Sequence, residues 1–114
     1  MDYASKRCVP CEGGIPALTP AQVDEAIGAL SGWDVRDGHT KLHKHHRFKD
    51  FRDAMRFVNA MADLAEAEGH HPDFTVHYNT VDVTLWTHAI GGLSENDLIL
   101  AAKLDALDPS AGAR

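Results

Sequence analysis

Apolar and polar positions along this chain follow two different periods, and the switches between them lay out the elements. Thr19-Pro20-Ala21-Gln22 combines an N-cap hydroxyl, a proline at the first helical position and a glutamine at the third, which predicts a helix running to about Leu30 and closed near Gly32. Trp33 to Arg36 then meets Asp37-Gly38, a two-residue turn signal, and the alternating stretch His39 to Phe48. A hairpin with that loop pairs Val35 with Thr40, Asp34 with Lys41 and Trp33 with Leu42. From Asp50 the period changes: Phe51, Ala54, Met55, Val58, Met61, Ala62 and Ala65 recur at three and four spacing up to Gly69. That is an amphipathic helix, with Arg52, Arg56, Asn59, Asp63 and Glu66 on its polar face.

Alternation returns in Phe74, Val76 and Tyr78 and again in Val81, Val83 and Leu85, predicting a second hairpin turning at Asn79-Thr80. Its register pairs Tyr78 with Val81, Val76 with Val83 and Phe74 with Leu85; extended backwards it brings His71 opposite His88, with Pro72 distorting the strand between. Ser94 to Asp97 resembles an N-cap box, and Leu98, Ala101, Leu104 and Leu107 supply part of the apolar face of a last helix. The order αββαββα predicts an α+β two-layer sandwich, a four-stranded antiparallel sheet with three helices on one face. Residues 17–108 form the expected domain, residues 1–16 a flexible arm and residues 109–114 a disordered tail.

Composition narrows the function. With 44% hydrophobic and 25% charged residues in 114, the chain has the make-up of one soluble globular domain. A net charge of −6 argues against nucleic acid and anionic membrane surfaces as partners. Apolar runs stop well short of the ~20 residues of a spanning helix, and the N-terminus has no apolar run behind Lys6 and Arg7, so a cytoplasmic location is expected. Cys8 and Cys11 are too few for a disulfide scaffold; as half of a zinc-ribbon spacing they are weak support for a metal.

The compositional outlier is histidine, with eight residues clustered at 39–46 and 70–88. His70 and His71 follow a helix C-terminus, Glu66 stands four residues before His70, and Asp97 opens the last helix, so carboxylates are within reach of two rings. Imidazoles held this way suit general acid–base chemistry, since they exchange protons near neutral pH. On position alone the reading of Asp97 as a cap partner of Ser94 is favoured over that of a histidine partner; Glu66 also reads as a solvated helix residue, and Trp86 as hydrophobic payload or a shelf for a flat ring. His39, His43, His45 and His46 alternate with Lys41, Lys44 and Arg47 and read as a solvated or interface strand. Neither a Gly-Xaa-Ser-Xaa-Gly elbow nor a glycine-rich phosphate loop is present, which leaves proton transfer as the best fit.

Glu66, then His70-His71-Pro72, Tyr78, His88 and Asp97 resemble the signature of the pterin-4a-carbinolamine dehydratases. Cys8-Val9-Pro10-Cys11 with the following Glu-Gly-Gly-Ile-Pro, Gly32-Trp33, Leu85-Trp86-Thr87-His88 and Gly92-Leu93-Ser94-Glu95 extend the likeness over nearly the whole chain. The resemblance implies dehydration of 4a-hydroxytetrahydropterin to quinonoid dihydropterin, without cofactor or metal. His70 and His88 would move protons, His71 would bind the pterin, and Glu66 and Asp97 would be the supporting carboxylates. Phe74 stands where other members commonly have Trp. The resemblance also implies an aromatic amino acid hydroxylase as the source of substrate, while the unpaired edges and uncovered face of the expected sheet predict a homodimer or homotetramer. The alternative that the family implies is a binding module, a dimerisation cofactor or transcriptional coactivator.

Overall fold

The computed structural model describes residues 3–9 and 16–107; Cys11 and the tail expected at 109–114 lie outside the described residues. Helix α1 spans Pro20–Ile27, strands β1 and β2 span Asp34–Arg36 and Lys41–Arg47, and helix α2 spans Phe51–Glu68. Strands β3 (Asp73–His77) and β4 (Thr80–Leu85) follow, then a 3-10 turn at His88–Ile90 and helix α3 at Glu95–Leu107. The four strands form one antiparallel sheet in the order β1-β2-β4-β3. Val23 of α1, Phe57 and Met61 of α2, Leu100 and Leu104 of α3, and Leu42, Val81, Val83 and Leu85 of the sheet belong to one buried cluster. This is the predicted αββαββα sandwich.

Local chemistry accounts for the helix ends. At α1 both halves of the capping box form: Thr19 Oγ1 accepts from the Gln22 amide at 3.2 Å, and Gln22 Oε1 accepts from the Thr19 amide at 2.8 Å. The helix closes at Gly28, somewhat before the expected Leu30. In α2 the Asp50 carboxylate caps the Asp53 amide at 2.8 Å, and Gly69 ends the helix at φ 67, a left-handed conformation open to glycine. α3 buries Asn96, Ile99 and Leu100 in addition to Leu98, Ala101 and Leu104, because the segment from Tyr3 covers its outer side.

Both hairpin registers differ from expectation, each by two residues. In the first, Val35 faces Leu42 and Asp34 faces His43, so the connection is the four residues 37–40. Asp37, Gly38 and His39 all take positive φ, and Thr40 closes the loop by donating its amide to Arg36 O at 3.2 Å and its hydroxyl to Asp37 O at 2.7 Å. Trp33 leaves the pairing and donates Nε1–H to Asp105 at 3.0 Å. In the second, Phe74 faces Val83, Val76 faces Val81 and His77 faces Thr80, so Tyr78 and Asn79 make the turn, Tyr78 at φ 52. A slip of two preserves the face of every side chain, so apolar alternation could not distinguish the registers.

In strand β2 the reading of a solvated or interface strand is corrected for Lys44 and His46, while His45 and Arg47 are exposed. Leu42, Lys44 and His46 point into the core; Lys44 Nζ donates to Asp105 at 2.7 Å, and His46 packs among Trp33, Phe48 and Phe57. On the opposite face His43 Nε2 and His45 Nδ1 share Asp82 Oδ1 at 3.0 and 2.9 Å. Partial burial pushes the Asp82 carboxyl up, but the hydrogen bonds and charges of His45 and His43 outweigh it and hold the group below its ordinary value.

Candidate active site

Gly69 turns the chain at the end of α2 so that successive histidines diverge: His70 is buried and His71 is exposed. His70 Nε2 lies 2.6 Å from Asp97 Oδ1 in the first turn of α3. A carboxylate only accepts, so Nε2 carries the hydrogen and Nδ1 is the ring nitrogen left for a substrate. The second oxygen of Asp97 accepts from the Ser94 amide at 2.9 Å and the Thr87 hydroxyl at 2.7 Å, and Thr87 Oγ1 also lies 2.8 Å from Ser94 Oγ. Asp97 is therefore both cap and histidine partner, one oxygen for each, which resolves the two readings left open by position alone.

His71 Nε2 lies 2.6 Å from Glu66 Oε2, so Glu66 serves the histidine five residues on rather than His70. His88 does not sit on β4 opposite His71. The strand ends at Leu85, and His88 begins the 3-10 turn, which Gly91 closes at φ 61 while the Thr87 amide donates to Gly92 O at 2.8 Å. Its ring lies 3.9 Å, centroid to centroid, from Trp86, with Nε2 3.7 Å from Asp73 Oδ2. The same Asp73 oxygen accepts from Trp86 Nε1 at 3.0 Å, and Lys41 Nζ sits 4.7 Å from the Trp86 ring centre.

These groups surround a cavity of about 360 Å³ lined by residues 69–73 and 86–89. It brings together His70, His71, Pro72, Trp86 and His88, with Asp97 behind His70 and Glu66 behind His71. Phe74 lies across Pro72 in a neighbouring cleft of about 300 Å³ with Met61, Ala65 and Glu66. Tyr78 is exposed in the β3–β4 turn, away from both. The cap pattern already paired Ser94 with Asp97, but sequence reasoning missed Asp73 and Thr87 as partners of the site residues; only the position of Asp73 beside His71-Pro72 hints at its place there. Among the described residues, no three His, Cys, Asp or Glu side chains are grouped to hold a metal ion.

The cavity offers imidazoles in two environments, His70 locked by a buried carboxylate and His88 on an exposed aromatic shelf, which is the equipment for giving and taking protons on a small flat molecule. Known proteins resemble this chain over most of its length. The chain is 48% identical to a protein of Nitrosospira multiformis over 93% of this chain and 92% of that one, and 42% identical to a protein of Rubrobacter xylanophilus over 93% and 98%; both are named for pterin-4-alpha-carbinolamine dehydratase. A crystal structure of a transcriptional coactivator/pterin dehydratase from Brucella melitensis superposes with a TM-score of 0.77 at 40% identity, over 81% of this chain and 98% of that one. With a family model of pterin 4 alpha carbinolamine dehydratase matching residues 16–107, the chain belongs to that family.

Proposed function

We propose that this protein dehydrates 4a-hydroxytetrahydropterin to quinonoid dihydropterin by histidine acid–base catalysis. The carrying observation is the cavity that places His70 and His88 around one space, His70 being held by Asp97 at 2.6 Å. In the reaction the 4a carbon–oxygen bond breaks as the leaving oxygen takes a proton and departs as water. A ring-nitrogen proton is removed, and its electron pair forms the new carbon–nitrogen double bond. His70 and His88 share the donor and acceptor roles, and His71, oriented by Glu66, binds the pterin. No metal or cofactor takes part in this scheme. Among the described residues no helix is long and apolar enough to cross a membrane, and we place the protein in the cytoplasm, acting on the product of an aromatic amino acid hydroxylase.

The unpaired edges of β1 and β3 and the exposed Phe51, Phe74 and Tyr78 support a homodimer or homotetramer. Light scattering at tens of micromolar protein should give a multiple of 12.4 kDa; the monomer mass contradicts association. The activity is tested by following the decay of chemically generated 4a-hydroxytetrahydropterin with and without the protein in the presence of a chelator. Catalysed decay is expected, and an unchanged rate leaves a partner-binding module as the better account.

A further inference from the structure

The His70–Asp97 contact joins the ends of two different helices, and a 2.6 Å hydrogen bond tolerates only a few tenths of an ångström of sliding between them. Apolar packing sets the distance between α2 and α3 but is not directional. Directional contacts come from the segment at Cys8 and Val9. The Cys8 amide donates to Glu68 Oε1 at 2.8 Å, and Glu68 is the last residue of α2, two before His70. The Val9 amide donates to Asn96 Oδ1 at 2.9 Å and Asn96 Nδ2 donates back to Val9 O at 2.7 Å; Asn96 immediately precedes Asp97. Both halves of the histidine–carboxylate pair thus neighbour a residue held by the same two consecutive residues.

Two further observations separate this arrangement from a casual surface contact. Asn96 is only 2% exposed in the first turn of α3, where Ala would be the better helix former, and its amide matches one main-chain N–H and one C=O, a pairing no apolar side chain provides. The Glu68 side chain is only 5% exposed and also accepts from Lys103 Nζ at 3.0 Å, with Arg7 Nε at 3.3 Å, so a third link ties α2 to α3 at the same point. We propose that the segment Arg7–Val9 is a positioning clamp for the His70–Asp97 pair, acting through Glu68 and Asn96. The proposal rests on the assignment of His70 to proton transfer, and Val9 acts in it through its main chain, its own residue surface being 57% exposed.

The test uses the full chain. Val9→Pro removes the N–H given to Asn96, Asn96→Ala removes both bonds, and Val9→Ala keeps both. The Nε2 proton of His70, in a short bond to a carboxylate, should resonate far downfield, and its loss in His70→Ala assigns it. In Val9→Pro and in Asn96→Ala this resonance should move upfield and broaden, kcat should fall about ten-fold with KM nearly constant, and the double variant should be no worse than either single one. Val9→Ala should keep both signal and rate. Variants that fold, by circular dichroism, and lose only melting temperature while keeping the resonance and kcat overturn the proposal. If Asn96→Ala does not fold, Val9→Pro, altered only in the segment, decides. Should His70→Ala retain full kcat, the catalytic assignment fails instead, while the resonance still reports whether the segment positions the pair.

Discussion

Asp97→Asn exchanges one carboxylate oxygen for an NH₂ with almost no change of volume, yet the hydrogen bonds around it fix what the change does. Asp97 is fully buried, with Oδ2 receiving the Ser94 amide at 2.9 Å and the Thr87 hydroxyl at 2.7 Å, and Oδ1 facing His70 Nε2 at 2.6 Å. The Ser94 N–H cannot become an acceptor, so the amide oxygen of Asn stays on that side and its NH₂ turns toward His70. The imidazole must then accept at Nε2 and carry its hydrogen on Nδ1, presenting the cavity with a proton where it had a lone pair. A charge-assisted bond of ~1.5–3 kcal/mol is exchanged for a neutral one of ~0.5–1.5 kcal/mol, a stability loss of about 1 kcal/mol. A general acid or base in the wrong protonation state costs ~10²–10⁴ in rate, or ~2.7–5.4 kcal/mol of barrier. The activity loss should exceed the stability loss several-fold. Initial rates of carbinolamine decay, measured well below the melting temperature, should show kcat down about 10²-fold or more, with melting lowered by only ~4–8 °C. A folded Asn variant within three-fold of wild-type kcat refutes the reasoning.

His71 and Glu66 are both exposed, so breaking their 2.6 Å contact costs little stability, and His71→Ala should raise KM more than it lowers kcat; the reverse pattern in steady-state kinetics contradicts a binding role. Asp105→Ala strands the buried Lys44 ammonium and removes the acceptor of Trp33 Nε1 and Ser31 N, both at 3.0 Å, so urea unfolding should show a loss of about 3–5 kcal/mol, against which a loss under about 1 kcal/mol would count. Burial pushes the Glu68 carboxyl up, but the Cys8 amide, Lys103 and Arg7 together hold it below its ordinary 4.5. Its contribution is therefore present above about pH 4.5 and lost as pH falls through the lower folded value, so the gap in melting temperature between wild type and Glu68→Gln should narrow on acidification. A gap constant from pH 7 to 3 contradicts that sign.

Helix α2 was legible almost to the residue because both its signals are local, the Asp50 cap and Gly69 at φ 67. The sheet was legible in faces but not in registers, since a two-residue slip leaves Val76, Val81 and Val83 facing the same side. The interior of β2 defeated the hydrophobic pattern because Lys44 and His46 are buried polar residues whose partners, Asp105 and the rings of Phe48 and Phe57, come from elsewhere in the chain. At the site, histidine density and the neighbouring carboxylates marked the residues, but which carboxylate serves which ring depended on the direction the chain takes after Gly69. Asp73 and Thr87 emerged only from tertiary contacts. Residues 8 and 9 left no trace in the pattern, because their contacts to Glu68 and Asn96 are largely main-chain.

The central claim is that two histidines around one cavity move the protons of the dehydration. It is tested most directly by the rate of carbinolamine decay with His70→Ala, His88→Ala and the double variant, each checked for an intact fold. The account predicts single losses of ~10²-fold or more, softened if either histidine partly replaces the other, and a double variant close to the uncatalysed rate. A double variant that keeps wild-type kcat contradicts it.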